Sequence, residues 1–210
     1  PSRAKNDEIQ TVGSSPKRGI VMAIYEDVLV SAYAVIQLLR QQYHCTLPIE
    51  LWSKPGEIQT VDLLQELLKD PTIHHRVFSD PLFAGFLSKP YSIFYSSFDQ
   101  ILLLDADNVP VQDPTYLFET PEFQDTGAMF FPDYWHPHNT VFHMTADSLV
   151  WELLGIPFVE ELEMESGQIL IDKQRSEQAL NRLMFLGRTY DTWIGPLRLA
   201  WGDKDLFRVV

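Results

Sequence analysis

Cys45 is the only cysteine in the chain. An internal disulfide is therefore excluded, and so is a zinc site built on several thiolates. A single thiol suits either an oxidising or a reducing compartment. Long apolar stretches are also missing, and nothing in the sequence reads as a membrane-spanning helix. No Asn-x-Ser/Thr glycosylation signal, internal repeat or low-complexity tract occurs. The chain begins at Pro1 without a signal peptide, and it reads as an excised or processed piece. Basic residues are scarce. Lys plus Arg total 16 against 29 Asp plus Glu, a formal net charge of -13. That balance excludes general binding to nucleic acid and docking on anionic lipid, both of which need a basic excess. A nucleotide stays eligible as a ligand, provided a cation or a local group of amides and Lys offsets its charge.

What is present is ordinary for a globular domain: 210 residues, 45% hydrophobic and 21% charged. A chain of this size hides roughly 70% of its unfolded surface. Residues 1–17 are polar, with Gly, Ser and Pro near their end, and read as a flexible tail or linker. Residues 18–210 read as one domain. The run GIVMAIY at 19–25 has the pattern of a buried strand. Leu29, Ala32, Tyr33, Ile36 and Leu39 then share one helical face. LPIELWS at 47–53 is a second strand. A helix through Leu63, Leu64, Leu67 and Leu68 stops before Asp70-Pro71. A weaker third strand covers 73–78. A helix over 89–98 leads into ILLLD at 101–105, the clearest strand in the chain. Further strands are expected at 127–131 and 167–172, and an amphipathic helix over 176–186. Strands alternating with helices predict an α/β fold, a Rossmann-like α/β/α sandwich with a mostly parallel central sheet. Ligands of such sheets bind beyond the carboxyl ends of the strands.

The strongest chemical signal is ILLLDADNVPVQDP, in which apolar residues run straight into Asp105-Ala106-Asp107. On an extended chain positions 105 and 107 face the same side. A turn over 108–110 leaves them at the sheet rim. Two hard oxygen ligands there suit Mg²⁺ or Mn²⁺, which could bridge the phosphates of a nucleotide. The same residues also suit an Asx-rich turn in which Asp and Asn cap the backbone. Two enzyme classes place Asp-x-Asp after an apolar strand: nucleotide-sugar-dependent glycosyltransferases and haloacid-dehalogenase-type phosphatases. The phosphatase motif belongs to the first strand of its domain, whereas three β/α units precede it here. The paired acids expected after a later strand are only partly matched by Gly202-Asp203-Lys204-Asp205.

Six segments in order carry a more specific resemblance. They are GIVMAIYEDVLVSAYAVIQLLR, LPIELW, KPYSIFYSSFDQILLLDADNVPVQDPTYLFETPEF, GAMFFPDYW, ESGQILIDK and GDKDLFR. Over nearly all of 18–208 the chain resembles the fungal-type Golgi α-mannosyltransferases that add α-1,2- and α-1,3-linked mannose to mannan. More distantly it is similar to glycogenin-like glycosyltransferases, which share the order Lys, helix, strand, Asp-x-Asp. The resemblance implies the glycosyltransferase A fold, a GDP-mannose donor, a mannose-containing glycan acceptor, Mn²⁺ (or Mg²⁺), and retention of the α configuration. It also implies a Golgi-lumen enzyme, anchored to the membrane in the full-length protein by a segment outside this chain.

Residue by residue, Asp105 and Asp107 match the metal-binding Asp-x-Asp, with Ala106 between them beside the donor. Tyr25, at the end of the first strand, matches a position facing the base or ribose, while 20–24 reads as core. Lys89 matches a Lys near the donor diphosphate, and it equally suits a surface site at a helix start. Glu165, Ser166, Gly167 and Gln168 resemble the segment beside the transferred sugar; a turn leading into a strand is the alternative. Asp203 and Asp205 resemble the acidic motif near the acceptor hydroxyl, and would also suit a helix N-terminus. The candidate catalytic set is thus Gln168, Asp203 and Asp205. The donor set is Tyr25, Lys89, Asp105, Ala106, Asp107, Ser166 and Gly167. The family's third metal ligand is a late His, and none follows Asp205. A C-terminal truncation is therefore expected, with His136 or His138 as possible substitutes. Asp133, Tyr134 and Trp135 read as a sugar platform or as core, and His74 and His75 as surface. No residue stands out as a covalent nucleophile, which favours front-face transfer. A UDP-sugar transferase, a phosphatase and a non-catalytic nucleotide-sugar-binding remnant stay open.

Overall fold

The computed structural model describes residues 16–136 and 144–210. The expected tail, up to residue 15, and His138 lie outside the described residues. The chain opens on β1 (Arg18–Ala23) and α1 (Leu29–Gln37), the latter continuing into a π-helical turn at Leu38–Gln42. β2 (Ile49–Ser53), α2 (Val61–Leu67), β3 (Ile73–Val77), α3 (Ser88–Tyr95) and β4 (Gln100–Leu104) follow. Next come α4 (Pro121–Thr126), β5 (Ala128–Pro132), α5 (Val150–Leu154), β6 (Met164–Asp172), α6 (Glu177–Thr189) and α7 (Asp203–Arg208). The expected helix at 89–98 ends earlier, because Ser96 turns extended at ψ 147°. The last strand starts at Met164 rather than at 167. The short helices α4 and α5 carry too little periodicity to be read from sequence.

The six-stranded sheet has the order β3-β2-β1-β4-β6-β5. β1 pairs in parallel with β2 and β4, and β2 with β3. β6 alone runs the other way, antiparallel to both β4 and β5. The mostly parallel sheet is thus as expected.

Alternation along β1 and β4 divides the core between the two faces. Val21, Ile101 and Leu103 pack with α3, α6 and α7 through Tyr91, Leu183 and Phe207. Ile20, Met22, Leu102 and Leu104 pack with α1, α2 and α4 through Ile36, Leu64 and Phe123. At the start of β1, a Cβ on Gly19 would lie within 2.4 Å of the Phe98 ring. Only glycine allows that approach of strand and loop.

Candidate active site

β4 ends at Leu104, and Asp105 carries its line forward to the sheet rim. The odd positions of β4 face α3 and α6, so Asp105 emerges on that side. The chain then turns, with Asn108 N–H donating to Asp105 C=O at 3.0 Å. β6 returns alongside, and Asp105 N–H donates to Gly167 C=O at 2.7 Å. The antiparallel pairing thereby brings the 165–168 segment against the Asp-x-Asp turn.

Lys89, in the first turn of α3, closes the cluster. Its ammonium donates to Asp105 Oδ2 at 2.8 Å, Ser166 C=O at 3.2 Å and Ser166 Oγ at 3.4 Å. It also lies 3.4 Å from Asp203 Oδ2, at the start of α7. Asp203 is 7% exposed, and its Oδ2 accepts no hydrogen bond. Burial pulls the Lys89 pKa down, but Asp203 and Asp105 outweigh it and hold the pKa above the ordinary lysine value. Burial pushes the Asp105 carboxyl up, and Asp203 and Asp107 add to this; Lys89 offsets it only in part. One cation thus serves two carboxylates.

Gly167 is the point of closest approach. A Cβ there would stand 3.0 Å from Glu165 Oε1, 3.1 Å from Asn108 Nδ2 and 3.4 Å from Asp105 Oδ2. The Glu165 carboxylate accepts from Gly167 N–H at 2.6 Å. Lys89 and Asp105 border a cavity of about 350 Å³ whose wall also includes Tyr25, Lys54, Phe86 and Asp107. That is within the range of small-ligand sites. Asp107 and Tyr25 are exposed, and Ala106, in the same wall, is buried.

The other expected residues part company. Gln168 pairs with Leu104 on β6. Alternation turns it away from Gly167, into a separate cavity of about 170 Å³ with Asn108 and Tyr116. Asp205 is 3% exposed and accepts from Trp201 N–H at 2.7 Å. Burial pushes its carboxyl up. Lys204 joins Asp133 at 2.8 Å to Glu163 at 2.7 Å, which ties the end of β5 to α7. Tyr134 and Trp135 are exposed, and His136 sits 4.0 Å from Glu160. His74 is exposed as expected, but His75 is half-buried and hydrogen-bonds Ser53 Oγ at 2.8 Å. The cavity residues Lys54 and Phe86 were not singled out from sequence. Lys54 directly follows β2, so the rule that ligands sit beyond strand ends was the available signal.

Among the described residues, no group of three or more His, Cys, Asp or Glu is arranged to hold a metal ion. Asp105 and Asp107 are nevertheless hard oxygen donors at one cavity wall. A Mg²⁺-like ion commonly takes one or two carboxylates and completes its shell with substrate phosphates and water. The donor chemistry fits such an ion. Also among the described residues, no helix is long and apolar enough to cross a membrane.

The sequence model of the Mannosyl_trans3 family of mannosyltransferases matches residues 17–150. The chain belongs to this family. Among relatives of the chain, the α-1,2-mannosyltransferase MNN2 of Saccharomyces cerevisiae is 25% identical over 84% of the chain and 36% of its own length. The α-1,2-mannosyltransferase MNN21 of Candida albicans is 35% identical over 48% of the chain and 16% of its own length. The chain therefore spans about a third or less of these relatives. Solved structures with the same fold include an active-site mutant of LgtC, with a TM-score of 0.64 at 14% identity, covering 91% of this chain and 69% of that one. The mannosyltransferase Ktr4p from S. cerevisiae gives a TM-score of 0.54 at 10% identity, over 90% and 64% of the two chains. The fold of this family member is the glycosyltransferase A fold.

Proposed function

We propose that the chain is the core of a metal-dependent, retaining α-mannosyltransferase that moves mannose from GDP-mannose to a mannose-containing glycan. The observation that carries this reading is the cluster at the carboxyl end of β4: Asp105 held by Lys89 at 2.8 Å beside the cavity that Asp107 also lines. Family membership and the names of the relatives support mannose as the transferred sugar. Asp105 and Asp107 would hold Mn²⁺ or Mg²⁺, which when bound would neutralise charge on the departing diphosphate. Lys89 would offset the same charge from the α3 side. Ser166 and Gly167 would border the transferred sugar, and Asp203 would accept from a sugar hydroxyl. No carboxylate stands out as a covalent nucleophile, which supports front-face transfer. The fold and family findings favour this reading over a phosphatase. Residence in the Golgi lumen, with a membrane anchor elsewhere in the full-length protein, accords with the family.

The test is ligand-dependent melting. GDP with Mn²⁺ is expected to raise the melting temperature well above GDP with chelator. Asp107→Ala should abolish that difference and leave the ligand-free melting temperature close to wild type, since Asp107 is exposed. An undiminished Mn²⁺-dependent shift in the variant removes Asp107 from the metal site.

A further inference from the structure

Three charged groups meet where Lys89 and Asp105 line the cavity. Lys89 Nζ is 2.8 Å from Asp105 Oδ2 and 3.4 Å from Asp203 Oδ2. Asp107 lines the same cavity. Asp203 Oδ2 is buried without a hydrogen bond and faces the ammonium. The Lys89 side chain is only 16% exposed and also donates to Ser166 C=O. It therefore leaves this position only for another strong acceptor.

The ammonium thus already pairs with the carboxylate that a divalent ion would need on Asp105. An ion approaching Asp105 alone meets a positive charge at contact range, in surroundings that screen it poorly. A diphosphate changes the balance. Its oxygens give Lys89 a charge-assisted partner, and they give the ion further ligands.

We propose that Lys89 makes cation binding at Asp105 and Asp107 conditional on a nucleoside diphosphate. The ammonium occupies the Asp105 carboxylate until the diphosphate draws it away, so ion and nucleotide enter as a pair. No covalent bond changes; the Lys89–Asp105 ion pair is exchanged for a Lys89–diphosphate pair and contacts of the ion with both carboxylates. This rests on the transferase reading above and adds to it the order in which the site fills.

The experiment measures Mn²⁺ binding to the 210-residue chain from the electron paramagnetic resonance signal of free Mn²⁺, with and without GDP. For wild type, GDP should tighten Mn²⁺ binding about tenfold or more. Lys89→Met and Lys89→Gln should bind Mn²⁺ alone about tenfold more tightly than wild type, and GDP should then add less. Lys89→Arg keeps the charge and should behave as wild type. The Gln variant retains an amide donor for Asp105 and guards against misfolding of the Met variant. Folded neutral variants that bind Mn²⁺ alone no better than wild type would overturn the proposal. Wild type that ignores Mn²⁺ even with GDP would instead overturn the metal-dependent reading itself, so the two failures are distinguishable.

Discussion

At the scale of single residues, the two carboxylates of Asp105-Ala106-Asp107 differ more than their spacing suggests. Asp105 is half-buried and paired with Lys89, whereas Asp107 is exposed. The strand stops at Leu104, so strict alternation no longer governs the second acid. Gly167 is the residue on which the cluster's closeness depends. Alanine there would press on Glu165 Oε1 and Asn108 Nδ2. The flexible Glu165 can retreat, but it then loses its bond to Gly167 N–H. Gly167→Ala is therefore expected to cost about 1 kcal/mol in a urea titration of the ligand-free protein. It should take away a larger share of the GDP and Mn²⁺ response, because the displaced groups border Asp105. An unchanged ligand response would show that the close approach is structural only. Asp105, Asp107, Lys89, Ser166 and Gly167 were legible in the sequence as one neighbourhood. Gln168 and Asp205 lie elsewhere for a geometric reason. Strand parity sends Gln168 to the opposite face, and the first turn of α7 points Asp205 back at Trp201 N–H.

At the scale of elements, β2 carries a glutamate that the apolar reading of LPIELWS passes over. Glu50 is 0% exposed. It accepts from Ser97 Oγ at 2.7 Å and Trp52 Nε1 at 3.1 Å, and pairs with Arg76 on β3 at 3.3 Å. It therefore fastens β2 and β3 to the turn between α3 and β4. Burial alone would push its carboxyl up, but hydrogen bonds from Ser97, Ser96 and Trp52 overcome that and hold it below the ordinary value of 4.5. A depressed carboxyl contributes stability above its unfolded value, and that contribution fades as pH falls through the folded value. Glu50→Gln is expected to lose about 1.5–3 kcal/mol near neutral pH, where hydrogen bonds to a charged group count most. The gap from wild type should close as melting is followed into acid below 4.5. A gap that stayed constant with pH would mean that shape, not charge, is what Glu50 supplies. The elements themselves were mostly legible, since β1 to β4 and their helices repeat a strong local pattern. The direction of β6 was not, because nothing within GQILID says which way it runs. Its pairing with β4 and β5 decides that.

At the scale of the whole molecule, the family match ends at residue 150, yet the sheet does not. β6 stands between β4 and β5, and it buries Ile169, Leu170 and Ile171 among the two cores. A chain cut at residue 150 leaves β5 without its sheet partner and uncovers β4 along one edge. Such a chain is expected to show no cooperative melting by calorimetry, and a sharp transition would contradict this account of the sheet. The insertion of β6 also sets a timetable. Lys89 and Ser166 are 77 positions apart in the chain. At ribosomal speeds, roughly 4–15 s separate the synthesis of the one from the other. For most of that interval the nascent chain owns its acidic pair but not the wall that faces it. The proposed donor site is therefore born late, when the last strand slides into the gap left for it and α7 then brings Asp203 to Lys89.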